Sequence, residues 1–506
     1  MARITQAHHR RNRTLLEWIS AEKANSEVVW GSERVGTWEG IRPRWRESNQ
    51  RIRFKFRARN RNVTAWIVCL QPTPWGIKVL LRDFDKAFPN ELRVVWPNAS
   101  FEGTPARAND FWETIRPWVR VHWPGCTIVS ATQRPDRAHT ISGAFLRVQV
   151  RYRGRVYLLI GCGAAPVETT NEMLAQGLLW VACLQKSRQL DGLPTLCLLV
   201  PAGHSGILYH RARYLNPERI KVEIWEHEDS AEHGSFRPAA PPPPPEENRD
   251  FRWPLLGPFR WSALLARVLD LAPNLIRRYP RFQDYDSLRL CGLEFARVFG
   301  EERDRVSFGI GAHQSELTDE TFAELRSLVE EILFFRRPDT PDTHHPYYTL
   351  QSERWLESLI LEEVSRIFPE LAPETVYSQI PVYLGKDPGR VDILGADLQG
   401  TLVVMELKVL EDPNLPVQAL DYWGRVIQHN ICGDFERRGY FSGIQLNRRQ
   451  PRIYVVAPVF SFHDSTERVL RFFDPGLEVW KIAINHDWRS GVRILRRTSL
   501  CCGELP

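Results

Sequence analysis

The sequence predicts an α/β protein: a C-terminal α/β domain with a mixed sheet, preceded by an α+β N-terminal half. Three observations carry this. Residues 376–409 hold apolar runs of strand length broken by glycine turns. Segments with helical periodicity flank those runs on both sides. A proline-rich stretch, Phe236 to Asn248, divides the chain into halves that each alternate strands with helices.

A chain of 506 residues exceeds a single compact core, so several domains are expected. With 43% hydrophobic and 25% charged residues, it has the make-up of a folded protein rather than a disordered one. No run of about 18 uncharged apolar residues occurs, so no membrane span is expected. The basic N-terminus (Arg3, Arg10, Arg11, Arg13) lacks the apolar stretch of a signal peptide. The nine cysteines are odd in number and show no zinc-type spacing, which fits a reducing cytoplasm. Cys183 and Cys197 sit in apolar runs, where a reduced cysteine acts as a small buried hydrophobe. A net charge of +6 permits nucleic-acid binding without demanding it.

The expected organisation is an N-terminal α/β half over 1–235 and a stiff linker over 236–250. A mostly helical middle region follows over 251–344, and the α/β domain covers 345–500. In the first half, residues 40–82 read as β-rich, because Ile52, Phe54 and Phe56 alternate with Arg51, Arg53, Lys55 and Arg57. His8, His9, Arg10, Arg11 and Arg13 form a basic arm. In the middle region, Phe259 to Tyr279 and Asp319 to Phe335 read as helices.

The chemistry concentrates in the last domain. A helix is expected from Ser352 to Phe368, with Glu353 and Glu357 beside its apolar stripe. Strands Val376–Val382, Arg390–Gly395 and Thr401–Val409 follow, then a helix from about Pro416 to His429 and a strand at Arg452–Ala457. The order is α-β-β-β-α-β. Alternation puts Glu406 and Lys408 on one face of their strand and Leu407 on the other. The preceding Leu402-Val403-Val404-Met405 run is that of a strand covered on both faces. With Asp392 on the neighbouring strand, two carboxylates can hold a hard divalent cation, and Lys408 can neutralise charge on a phosphate. The alternative is an ion-paired Glu406–Lys408 staple at a strand end. The frame Gly389-Arg390-Val391-Asp392-Ile393-Leu394, then Glu406-Leu407-Lys408, then Gln418 and Tyr422 four apart on a helix, is more specific than a lone ExK.

This constellation resembles the PD-(D/E)XK nuclease superfamily, especially its RecB-type and NucS-type members, over about 150 residues. The resemblance implies a restriction-endonuclease-like fold and cleavage dependent on Mg²⁺ or Mn²⁺. It implies that Asp392 and Glu406 bind the metal with a helix acid, Glu353 or Glu357, assisting; ExxL spacing favours Glu353. Lys408 would be catalytic, with Gln418 and Tyr422 ordering the site or the substrate. The expected partner is nucleic acid, DNA ahead of RNA. No P-loop, HExxH, GxSxG or zinc-ligand series points to other chemistry. Two rival readings remain: a binding module that does not cleave, and a structural protein stapled by the ion pair.

The first half, over about 140–230, reads as a degenerate repeat of the same pattern, the alternative being an unrelated α/β domain of similar strand-helix-strand order. Val148–Val150, the Arg153-Gly154 turn and Val156–Ile160 parallel Val391–Leu394, Gln399-Gly400 and Leu402–Met405. Gln176 and Trp180 parallel Gln418 and Tyr422, and Leu196–Pro201 parallels Ile453–Pro458. Val222-Glu223-Ile224-Trp225 echoes Leu477-Glu478-Val479-Trp480. The positions facing Glu406 and Lys408 fall among Ile160 to Gly163, so this copy would lack the catalytic groups. A homodimer or an intramolecular pseudo-dimer would both suit such an arrangement. The Gly161-Cys162-Gly163 turn is read as a tight turn with a buried cysteine.

Overall fold

The computed structural model describes residues 26–30, 33–48, 51–58, 61–73, 76–83, 91–95, 108–136, 139–163, 167–190, 192–228, 236–241, 262–280, 285–300, 305–311, 314–384 and 387–499, with a few isolated positions. The basic arm around His8 to Arg13 lies outside the described residues. No helix among those described is long and apolar enough to cross a membrane.

Apolar alternation folds the first segment into seven antiparallel strands: β1 (Glu27–Trp30), β2 (Glu33–Thr37), β3 (Arg44–Ser48), β4 (Arg51–Ala58), β5 (Arg61–Thr73), β6 (Gly76–Asp83) and β7 (Glu91–Val95). Their order is β2-β1-β7-β6-β5-β4-β3. Phe54 and Phe56 are buried and Lys55 between them is exposed, as the period of two requires.

A mixed α/β unit follows. Helix α1 (Ala108–His122) leads into β8 (Thr127–Thr132), β9 (Leu146–Tyr152) and β10 (Arg155–Gly161). Helix α2 (Met173–Lys186), β11 (Thr195–Pro201), α3 (Ser205–Ala212), β12 (Lys221–His227) and β13 (Phe236–Pro238) complete it. The pairing of β13 with β12 places the start of the expected 236–250 linker inside this sheet. Residues 242–250 lie outside the described residues.

The middle region is not mostly helical. Helix α4 (Ala263–Leu269) precedes an antiparallel meander, β14 (Ile276–Pro280), β15 (Tyr285–Leu290), β16 (Leu293–Phe299), β17 (Arg305–Phe308) and β18 (Ser315–Glu316). Only then comes α5 (Phe322–Phe335), which buries Leu325, Val329 and Ile332 on the sheet. The helix expected from Phe259 to Tyr279 therefore stops at Leu269, and its last residues are strand β14. Asn274 adopts a left-handed φ of 65° between the two, a conformation that ends helical propagation.

The C-terminal unit contains α6 (Ser352–Glu362), β19 (Tyr377–Leu384), β20 (Asp387–Ala396), β21 (Leu402–Leu407), α7 (Leu415–Cys432), β22 (Arg452–Pro458), α8 (Thr466–Leu470), β23 (Val479–Ile484) and β24 (Ile494–Ser499). The expected helix from Ser352 to Phe368 breaks at Glu363, whose backbone leaves the helical region. The sheet order is β19-β20-β21-β22-β23-β24, and β21, β22 and β23 run parallel. The other neighbours are antiparallel.

The sheet of the first unit, β8 to β13, has the same order and the same directions throughout. Register aligns the two residue by residue. Gly161 pairs in parallel with Leu199 as Leu407 does with Val456. The Cys162 N–H donates to Leu199 O as the Lys408 N–H does to Val456 O. One expected equivalence slips by two residues: Leu196 pairs with Val222 and Ile453 with Val479, so Val222 matches Val479 rather than Leu477.

The two units share one core. Leu174, Leu178, Leu208 and Leu215 of the first join Leu415, Leu420, Trp423, Leu470 and Phe473 of the second. Helix α3 packs on α7 and α8 packs on α2, a reciprocal exchange that defines an approximate two-fold axis. On that axis Leu215 and Phe473, which follow α3 and α8, form an antiparallel bridge. The Asn216 N–H donates to Phe472 O at 2.8 Å, and the Asp474 N–H donates to Tyr214 O at 2.9 Å.

Candidate active site

The site forms where β20 and β21 part. Their backbone ladder runs from Ala396–Leu402 to Ile393–Met405 and goes no further. One step on, the carboxylate of Asp392 takes over, its Oδ2 accepting the Leu407 N–H at 2.9 Å. This substitution of a side chain for a backbone partner opens the fork. Asp392 and Glu406 then stand across from each other on one face, with Lys408 one alternation further along.

Burial makes the electrostatics strong. Glu406 is 1% exposed, and its Oε1 accepts from Lys408 Nζ at 3.0 Å. Its Oε2 is buried with no hydrogen-bond partner. Burial, then the facing Asp392 carboxylate, raises the Glu406 pKa well above the ordinary carboxylate range, with Lys408 opposing. Burial works against the Lys408 ammonium, but Glu406, Glu353 and Asp392 outweigh it and raise its pKa. Lys408 is therefore a fixed cation.

Helix α6 supplies both candidate acids. Glu357 is 1% exposed and its Oε2 accepts from Arg354 Nη1 at 2.7 Å and from Gln379 Nε2 at 2.8 Å. Burial, and then Asp392, lifts its pKa to about 7 against the pull of Arg354. Glu353 is half-buried. Its pKa is raised by burial, and the largest charge acting on it is that of Lys408. The two acids thus divide the site: Glu357 on the Asp392 side, Glu353 on the Lys408 side.

Arg354 and Gln379 were not legible as site residues. Arg354 Nη1 also donates to Asp392 Oδ1 at 2.8 Å, bridging the helix acid to the strand acid. Gln379 sits opposite Asp392 in β19 with a left-handed φ of 58°, and its amide lies 3.4 Å from Asp392 Oδ1. The i, i+3 spacing of Arg354 and Glu357 was a weak signal for the first. Nothing in a strand sequence announces the second.

Gln418 and Tyr422 face the site from α7, with Gln418 Nε2 donating to Tyr422 Oη at 3.3 Å. The glycine in the 389–394 motif has a steric cause. A Cβ on Gly389 would lie 2.9 Å from the Tyr422 ring and 3.3 Å from Arg425 Nη1. Burial raises the Tyr422 phenol to about 12.

The donor set fits a divalent cation in a limited way. Among the described residues no three Asp, Glu, His or Cys side chains converge into a ready ligand set. Glu353 acts electrostatically on both Glu406 and Lys408, so it stands beside the two strand acids as the candidate helix acid. Mg²⁺ requires less than a full protein ligand set, since one or two carboxylates with water and substrate oxygens suffice. The unsatisfied, buried Oε2 of Glu406 beside Asp392 is the atom that such an ion would satisfy.

The equivalent site in the first unit has lost this character. Register puts Ile160 where Glu406 is, Cys162 where Lys408 is, and Arg147 where Asp392 is. Arg147 is buried and donates to Ser142 O and Arg134 O, so a cation replaces the key anion. A scan of the chain against protein-family models found no match, and a search of curated proteins found none at a significant level.

Proposed function

We propose that the protein is a metal-dependent nuclease that hydrolyses phosphodiester bonds, DNA ahead of RNA, in a PD-(D/E)XK-like domain. The observation that carries this reading is the fork at Asp392. It gathers two carboxylates and a lysine on one buried face, leaving a carboxylate oxygen without a partner. A bound Mg²⁺ or Mn²⁺ supplies Lewis-acid polarisation of the phosphate and activation of water. Asp392 and Glu406 would hold it. Lys408, fixed by Glu406, would stabilise charge developing on the phosphate without reorganising. Glu357 would position Arg354 and Gln379, and Gln418 and Tyr422 would border the substrate. The first unit, with Arg147 in place of the strand acid, would be a non-cleaving companion packed on the active one. The cysteines among the described residues form no disulfide, which suits a cytoplasmic setting.

One observation favours a second reading, a nucleic-acid-binding module that does not cleave. Arg354 already neutralises both Glu357 and Asp392, as a guanidinium does in a structural ion-pair network. Cleavage of plasmid, single-stranded DNA and RNA by wild type and Asp392→Ala, with Mg²⁺, Mn²⁺ or EDTA, separates the two. Metal-dependent cutting that the substitution lowers by at least about 100-fold supports the nuclease. Folded wild type that binds nucleic acid yet never cuts it supports the binding module.

A further inference from the structure

Beside the acid centre lies a cleft of about 350 Å³ between the middle sheet and the C-terminal unit. Arg277 and Arg278 of β14, Arg289 of β15 and Arg390 of β20 line it, together with Tyr279 and Gln379. No carboxylate does so among the described residues. Gln379 belongs to both places, since its amide donates to Glu357 and lies against Asp392. The charge of Arg289 likewise acts on Glu357. Cleft and acid centre are therefore neighbours that meet at the buried Gln379, with the arginines on the cleft side and the acids behind it.

Two of the four arginines are set in place by the middle sheet. Arg278 Nε donates to the buried Asp286 at 2.6 Å. Arg289 is itself buried, stacks on the Tyr279 ring at 4.5 Å and donates to Ser287 Oγ at 3.4 Å. Arg277 and Arg390 are half-buried and border the cleft from opposite units. Asp286 offsets Arg278 and Glu362 acts on Arg277, but the lining itself presents four guanidinium groups to the cavity, an arrangement that favours an anion between them. The planar, permanently charged fork of arginine suits phosphate oxygens in particular.

We propose that this cleft grips the phosphodiester backbone of the nucleic-acid substrate next to the point of cleavage, making the middle β14–β18 sheet a substrate clamp. The inference rests on the nuclease reading of the acid centre. It gives the middle region a purpose that no catalytic motif assigns to it.

The test uses the full chain in EDTA, so that binding is read without cleavage. Binding of a fluorescein-labelled oligonucleotide is followed by anisotropy across a salt series for wild type, Arg277→Gln/Arg390→Gln and Arg277→Lys/Arg390→Lys. Melting curves verify that each variant is folded. The glutamine pair should bind at least about tenfold more weakly on every sequence tried, and the slope of log K against log salt should shrink by about 2. The lysine pair, which keeps the charges, should retain the wild-type slope. Equal affinity and slope in wild type and the glutamine pair would overturn the clamp and leave the nuclease reading standing. Wild type that binds no nucleic acid removes both. Inorganic phosphate should displace the oligonucleotide from wild type more than chloride does at equal ionic strength, and less so from the glutamine pair. Equal displacement by phosphate and chloride from wild type would overturn a phosphate grip at this cleft.

Discussion

Glu406 is the residue on which function and stability pull in opposite directions. Its carboxylate is buried, faces Asp392, and leaves Oε2 without a donor. A buried polar atom without a partner costs about 1–3 kcal/mol, and more when it is charged. Glu406→Gln, which keeps the shape and removes the charge, should therefore melt higher than wild type in EDTA while losing cleavage. Divalent cation should reverse the order, because only the wild type gains from binding it, by about 2.7 kcal/mol at a hundred times the dissociation constant. Thermal melts of both proteins with EDTA and with Mg²⁺ decide this. A wild type indifferent to Mg²⁺ would point to the ion-paired staple instead. At this scale the strand acids and Lys408 were legible because strand alternation fixes which side chains share a face. Arg354 and Gln379 were not, since their place depends on how α6 and β19 close around Asp392.

At the scale of elements, the close approach of α7 to α3 is permitted by a glycine. A Cβ on Gly424 would meet Tyr214 Cε2 at 2.4 Å and His210 Nε2 at 2.7 Å. Alanine is the better helix former by about 1 kcal/mol, so propensity alone predicts that Gly424→Ala stabilises. Overpacking at rings held in a shared core costs about 1–3 kcal/mol and should win. Urea denaturation is expected to show a net loss of stability, and a gain would mean that the seam between the units is looser than these distances indicate. The succession of the inner strands in both α/β units was readable from apolar runs and glycine turns, whereas the edge strands β8, β13 and β24 were not. The middle meander was not, and β15 shows why. Its sequence Tyr285-Asp286-Ser287-Leu288-Arg289-Leu290 reads as polar, yet Asp286, Ser287 and Arg289 are all buried. From the flanking strands, Arg278 donates to Asp286, Glu294 accepts from Ser287, and the Tyr279 ring lies against Arg289. Cross-strand partners of that kind do not show in a hydropathy pattern.

At the scale of the whole molecule, a buried polar relay joins the degenerate unit to the strand that carries Asp392. Arg425 of α7 donates to Asp387 at the start of β20 and to Asp421. Asp421 in turn lies 3.5 Å from Arg211 and 3.9 Å from His210 of the first unit. The repeat was visible in sequence as matching strands, but this relay was not, because it is built across the two-fold seam from residues on non-equivalent turns. His210 reports on it. Its side chain is 0% exposed, and burial lowers its pKa to about 4, with Arg213 and Arg425 also opposing the proton and Asp421 favouring it. The folded value lies below the unfolded value of 6.5, so between about pH 4 and 6.5 the unfolded chain binds more protons. Stability from this group is complete above pH 6.5 and is lost as the pH falls through that window. From pH 7 to pH 5 the loss amounts to about 2 kcal/mol. The Asp421 pKa is lowered, burial opposing the outweighing pull of Arg211 and Arg425, so it acts below that window. His210→Gln cannot take up the proton. The stability difference between wild type and variant, measured by urea denaturation, should therefore shift against the wild type by about that amount between pH 7 and pH 5. A difference that stays constant over that range would show His210 accessible to protons in the folded state. The seam would then open at mild acidity, and the two units would not share the closed core on which the relay depends.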